Sequence, residues 1–117
     1  MGRVRAERVV TVVSAPEPGR VVIDGGTKTF SSDLEKSEKF GGFGQVREYP
    51  GVYIDWMNEE HGVLNVDATD HRFEPGERLT VIPNHACATV NLHDEMAAVR
   101  GDQVEAIWPI LGRGKIR

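Results

Sequence analysis

The sequence predicts an all-β domain, a small antiparallel β-barrel or sandwich with one long irregular loop. Three observations predict it: short β-branched runs recur along the chain, Gly- and Pro-containing turns separate them, and there is almost no helical pattern. Either arrangement removes or protects the strand edges, and a barrel is the preferred reading. At 117 residues the chain is long enough to enclose one hydrophobic core and too short to suggest two, so residues 1–117 are read as a single domain.

Arg8 to Ser14 reads as the first strand, ended by the turn Ala15-Pro16-Glu17-Pro18-Gly19. Val21-Val22-Ile23 resumes the pattern and stops at Asp24-Gly25-Gly26, where glycine readily supplies positive φ, so the domain opens with a hairpin. From Thr27 to Pro50 serines, charges and the Gly41-Gly42-Phe43-Gly44 cluster break any period. This stretch is expected to be the long loop, holding at most a short helix over Asp33 to Lys39 capped by Ser31 or Ser32. Val52 to Met57 and Gly62 to Val66 read as strands around Asn58-Glu59-Glu60-His61, and Phe73 to Glu77 is a turn leading into a strand at Leu79 to Ile82. His85 to Val90 is read as a further strand. Met96 to Arg100 and Gln103 to Trp108 form a hairpin about Gly101-Asp102, and Pro109 and Gly112 mark an irregular tail.

A net charge of −4 and a pI near 5.5 argue against a nucleic-acid surface and favour a small-molecule or protein partner. The basic residues that cluster, Arg3 and Arg5 at one end and Arg113, Lys115 and Arg117 at the other, read as solvated tails. One cysteine permits no internal disulfide, and the chain has neither a long apolar run nor an apolar signal segment. A cytoplasmic protein fits best.

The most informative stretch runs from Val81 to Asp94. If it is extended, residues two apart share a face, so His85 and Cys87 project side by side and their imidazole and thiolate meet one ion. Such a pair suits Zn²⁺, and two protein ligands leave positions for water, substrate or another polypeptide. On spacing alone the alternative stays open that Cys87 is a small buried hydrophobe.

Four blocks, Val12 to Asp33, Asn58 to Gly62, Pro83 to Asp94 and Trp108 to Gly114, resemble in the same order the C-terminal domain of D-serine dehydratases and D-threonine aldolases. These are alanine-racemase-like pyridoxal-phosphate enzymes. The resemblance implies an N-terminal α/β barrel whose lysine holds pyridoxal phosphate, and a C-terminal β-domain that closes the active site and supplies a metal. Nothing in this chain resembles that barrel, so no cofactor-binding residue is expected here and Lys28 is not the cofactor lysine. The dehydratase metal ligands fall on His85 and Cys87. The aldolases typically show His and Asp there, which tilts Cys87 toward dehydratase-like chemistry. The metal is expected to be Zn²⁺, or Mn²⁺ with a more oxygen-rich completion.

Around this site, His61 is a candidate catalytic residue lining the cleft, or a turn histidine bonded to backbone. His93 and Asp94 either orient the ligands or stand exposed. His71 is expected to be solvated, Asp24 and its glycines to shape a turn, and Trp56 and Trp108 to pack in the core or at a domain interface. The function read from all this is the metal-bearing part of a pyridoxal-phosphate-dependent lyase acting on 3-hydroxy D-amino acids, inactive alone and partnered by the missing barrel, with homodimers common in such enzymes. The alternative is a stand-alone metal-binding or protein-interaction module, with the Thr27 to Pro50 loop as its contact surface.

Overall fold

β1 (Arg8–Glu17) and β2 (Arg20–Ile23) pair antiparallel about a turn in which Gly19 adopts φ +84°. The structure is a computed structural model that describes residues 6–31, 35–36, 41–84 and 86–113, with the backbone alone for 35, 36, 41, 86 and 87. β1 runs through Ala15-Pro16-Glu17, which the sequence reading assigned to the turn. The register shifts between Ser14 and Glu17, and an interrupted ladder is where a proline without an amide is tolerated in a strand.

β5 (Gly44–Val46), β6 (Tyr53–Met57), β7 (Gly62–Asn65) and β8 (Arg78–Pro83) complete a closed barrel in the order β1-β2-β7-β6-β5-β8. β8 closes it, pairing Arg8↔Val81 to Thr11↔Arg78 with β1 and Gly44↔Pro83 to Val46↔Val81 with β5. Past the end of β5, the Arg47 amide donates to the Thr80 carbonyl (2.8 Å), and the Glu48 carboxylate accepts from the Thr80 amide at 2.8 and 3.2 Å. The seam is therefore bonded beyond the strand itself. Period-two alternation points Val10, Val12, Ile23, Ile54, Leu64, Leu79 and Val81 into the barrel, where they are fully buried.

Within the expected loop the structure holds α1 (Thr27–Phe30), the short ladder of β3 (Glu35–Lys36) with β4 (Gly41–Gly42), and the barrel strand β5. The helix expected at Asp33 to Lys39 is overturned where it is described, since Glu35–Lys36 is strand and the rest of that span lies outside the described residues. Ser31 sits at the C-terminal end of α1 and caps no later helix.

The strand expected at His85 to Val90 is also overturned. Ala86–Val90 is a single helical turn, α2. A short apolar run fits strand or helix, and here both edges of β8 are already taken by β1 and β5. No ladder is left for it to join. The chain ends in a separate hairpin of β9 (Glu95–Arg100) and β10 (Gln103–Pro109), turned at Gly101 with φ +60°. Val99↔Val104 and Ala97↔Ile107 place one apolar face of this hairpin in solvent, with Val99, Val104 and Ile107 58–60% exposed.

Candidate functional site

α1 is one turn long and would not persist by itself. Other parts of the chain satisfy both its ends. The Thr27 and Lys28 amides donate to the carbonyls of Asn58 (2.9 Å) and Glu59 (3.2 Å), which belong to the β6–β7 turn. At the other end the Thr29 carbonyl meets the His93 ring Nε2 at 3.1 Å, and the Phe30 carbonyl accepts from the buried Thr89 hydroxyl at 3.1 Å. These are the end groups a helix leaves unpaired, and here they join three distant segments.

Gly25 and Gly26 make the approach possible. A Cβ on Gly26 would lie 2.3 Å from the Asn58 carbonyl oxygen, and one on Gly25 would lie 2.6 Å from the Phe30 ring, which plugs this end of the core. Neither glycine is among those with positive φ, so close packing, and not the turn freedom expected from sequence, is what requires them. Asp24 does have a scaffold role: its carboxylate accepts from the Thr11 amide (2.8 Å).

The remaining blocks join the same rim. The Asn84 side-chain amide donates to the Gly42 carbonyl. Arg113 pairs with Asp94 (3.1 Å) and donates to the His93 carbonyl (3.0 Å), while the Ile110 amide donates to the Asp94 carbonyl (2.8 Å). Arg113 is thus docked and not part of a solvated tail; Arg3, Arg5, Lys115 and Arg117 lie outside the described residues. All four sequence blocks meet at one barrel end.

His85 lies outside the described residues, and Cys87 is placed only as a backbone position in the first turn of α2. The strand on which they were to share a face is not formed, because Ala86–Val90 is helical. Among the described residues no group of three His, Cys, Asp or Glu side chains is poised to hold a metal. His61 is exposed on the β6–β7 turn, its amide bonded to the Asn58 carboxamide oxygen (2.7 Å). Lys28 is exposed and engages Glu60, with Glu59 3.9 Å away. The bond to Glu60 raises the Lys28 pKa and lowers that of Glu60, so both stay charged.

One other sequence reading changes and a second is narrowed. His71 is not free in solvent: its Nε2 lies 2.7 Å from Glu77, and its ring stacks on Tyr49 at 4.5 Å and meets the edge of Phe73 at 4.6 Å. Burial, and then Glu77, raise the Tyr49 pKa. Trp56 and Trp108 are 57% and 56% exposed, which removes the core alternative for them and leaves the domain-interface one. A groove of about 710 Å³ between the β1–β2 turn and residues 66–75 opens at the opposite barrel end, away from this rim. Sequence reasoning missed Thr89 and Phe30, whose roles depend on contacts 59 residues apart.

Fold and rim together define a small closed β-barrel domain that presents one-turn helices and turns from distant parts of the chain on one rim. Residues 6–99 match the Putative serine dehydratase domain, and the chain belongs to that family. It is 36% identical over 106 residues to a D-threonine aldolase from Arthrobacter sp, covering 91% of this chain but only 26% of that enzyme. An uncharacterized protein of Mycobacterium tuberculosis is 37% identical over 97 residues, which are 82% of this chain and 71% of that protein. The D-threo-3-hydroxyaspartate dehydratase of Delftia sp. HT23 has been solved with a histidine replaced by alanine and, in a metal-free form, with a cysteine two positions further on replaced by alanine. The latter structure superposes with a TM-score of 0.73 at 29% identity, covering 88% of this chain and 31% of that one.

Proposed function

We propose that this chain is the metal-bearing C-terminal domain of a pyridoxal-phosphate-dependent lyase acting on 3-hydroxy D-amino acids, D-serine dehydratase-like or D-threonine aldolase-like. The observation that carries the reading is the meeting of Asp24–Ser31, Asn58–His61 and Asn84–Asp94 on one rim.

His85 and Cys87 are the proposed metal ligands. Their spacing equals that of the histidine and cysteine replaced in the Delftia dehydratase. Imidazole and thiolate form a donor set for Zn²⁺, with Mn²⁺ the alternative. A buried hydroxyl on the same rim, that of Ser31, has no partner, as expected where a further group is to be received. A divalent metal there supplies Lewis acidity toward the substrate hydroxyl, and pyridoxal phosphate on the companion barrel supplies the electron sink.

The chain's own residues do the rest. Thr89 and His93 fasten the Cys87-bearing turn to α1. His61, exposed at the rim, is the proposed catalytic residue. The exposed hairpin face and the exposed tryptophans are the proposed contacts for the N-terminal pyridoxal-phosphate barrel, without which the chain has no lyase activity. A homodimeric, cytoplasmic enzyme is the proposed setting. No helix among the described residues is long and apolar enough to cross a membrane.

Zn²⁺ titration by calorimetry tests the metal reading. The wild type is expected to bind weakly, because two ligands make only part of a tetrahedral shell, and Cys87→Ala to lose most of that binding. Equal affinities remove Cys87 from the site. A second reading, a stand-alone metal-binding or interaction module, is favoured by the mycobacterial relative, in which this domain makes up 71% of the protein. Lyase activity on adding the matching barrel polypeptide decides between them.

A further inference from the structure

The groove at the barrel end opposite the rim encloses about 710 Å³ between the β1–β2 turn and the segment that leads from β7 to β8. Val21, Val66 and Phe73, all buried in the core, line its floor, and Pro16, Pro18 and Pro75 stand exposed along its sides. Proline fixes the backbone of those walls. The segment opposite the turn is held from within. The Thr69 amide donates to the Val66 carbonyl (3.2 Å), the His71 amide to the Thr69 hydroxyl (3.2 Å) and the Gly76 amide to the Val12 carbonyl on β1 (2.8 Å), while His71 Nε2 meets Glu77 at 2.7 Å. The groove is preformed on both sides.

Its lip is acidic. Glu17, Asp67, Asp70 and Glu74 line it beside a single arginine, Arg72. All five are exposed, and among the described residues none of them enters an ion pair. By contrast, Glu7 is matched by Arg47, Glu59 and Glu60 by Lys28, Glu105 by Arg100 and Asp94 by Arg113. Unmatched like charge gathered about one apolar groove disfavours the domain alone and focuses a field that attracts a cationic occupant.

We propose that this groove docks an extended basic peptide segment of a partner protein, with apolar side chains on the floor of Val21, Val66 and Phe73 and lysine or arginine heads at the acidic lip. In an extended segment alternate side chains point to opposite sides. One that alternates apolar and basic residues sends the first set to the floor, and the long stems of the second let their charged heads reach the carboxylates. The lip steers the approach and the floor supplies the hold. The groove lies away from the rim, so the proposal is independent of the metal reading.

The test titrates the full chain into a fluorescein-labelled Lys-Leu-Lys-Leu-Lys peptide and follows fluorescence anisotropy. The wild type is expected to bind, and the double variant Asp70→Lys with Glu74→Lys to bind about tenfold or more weakly, because two attractive contacts become repulsive. Asp70→Asn with Glu74→Gln keeps the side-chain size, guards against a folding defect, and should weaken binding by about 2- to 30-fold, the ratio that two exposed ion pairs supply. Glu95→Lys with Asp102→Lys makes the same change of net charge as the first variant, but on the β9–β10 hairpin, and should bind like wild type. A Lys-Gly-Lys-Gly-Lys peptide, equally charged with nothing to offer the floor, should bind several-fold more weakly. Absence of binding to the wild type overturns the proposal. An equal loss in the hairpin variant overturns it too, by showing attraction to net charge alone, and equal affinity for the glycine peptide does so by showing that the apolar floor takes no part.

Discussion

Replacing Gly26 by alanine should damage the rim on which the four blocks meet, and the structure sets the size of the effect. Gly26 lies at φ −125°, which alanine adopts freely, so the effect is purely steric. The added Cβ would stand 2.3 Å from the Asn58 carbonyl oxygen and 2.7 Å from the Glu59 carbonyl carbon and oxygen. All three are backbone atoms, so the β6–β7 turn must move away. That movement breaks the bonds from the Thr27 and Lys28 amides, at 2.9 and 3.2 Å. Two such bonds contribute about 1–3 kcal/mol together, and the overpacking costs about 1–3 kcal/mol more. The expected loss is therefore about 2–6 kcal/mol, against a total stability of roughly 6–17 kcal/mol for a chain of this length. Thermal unfolding followed by circular dichroism should show a fall of roughly 10 °C or more. Gly112→Ala is the control: nothing lies within 4 Å of its built Cβ, and it should melt like wild type. If Gly26→Ala melts within two or so degrees of wild type, the tight contact between α1 and the β6–β7 turn is refuted.

The other predictions address the seams and the exposed face. Thr89→Val leaves the Phe30 carbonyl without its buried donor and should cost about 1–3 kcal/mol in urea unfolding, a neutral result removing the α1–α2 link. Glu48 is opposed by burial, yet the bonds from the Thr80 amide and hydroxyl hold its carboxyl below the ordinary value near 4.5. Its ionised form therefore stabilises the fold above that pH, and the contribution is lost as pH falls through the depressed folded value. Glu48→Gln should be less stable than wild type at neutral pH, and the gap should close in acid. A gap that stays constant across the pH series would exclude the linkage. Ile107→Lys, at a site 60% exposed, should leave the melting temperature nearly unchanged but weaken binding of the barrel polypeptide in sedimentation; unaltered binding takes this face out of the interface.

The hairpins were legible from sequence because their determinants are local. The β1–β2 pair is set by β-branched runs on either side of Pro18-Gly19, and the β9–β10 pair by apolar residues flanking Gly101-Asp102. The blocks that meet at the rim were visible as motifs, and the family follows from them. Their meeting place was not visible, since bonds between residues 31 to 64 positions apart along the chain join α1, the β6–β7 turn, Gly42 with Asn84, and the α2 region.

The sequence by itself determined an antiparallel all-β domain, its turns and its family, because period-two patterning and turn chemistry act over a few residues. Only the tertiary structure decided that Ala86–Val90 is helical, because closure of the barrel had already occupied both edges of β8. It likewise decided that β5 lies inside an apparently structureless stretch, that His71 is held by Tyr49 and Glu77, and that the two tryptophans face outward. In each case the short segment has no strong preference of its own, and the partner that settles its conformation or burial is brought to it by the closed sheet.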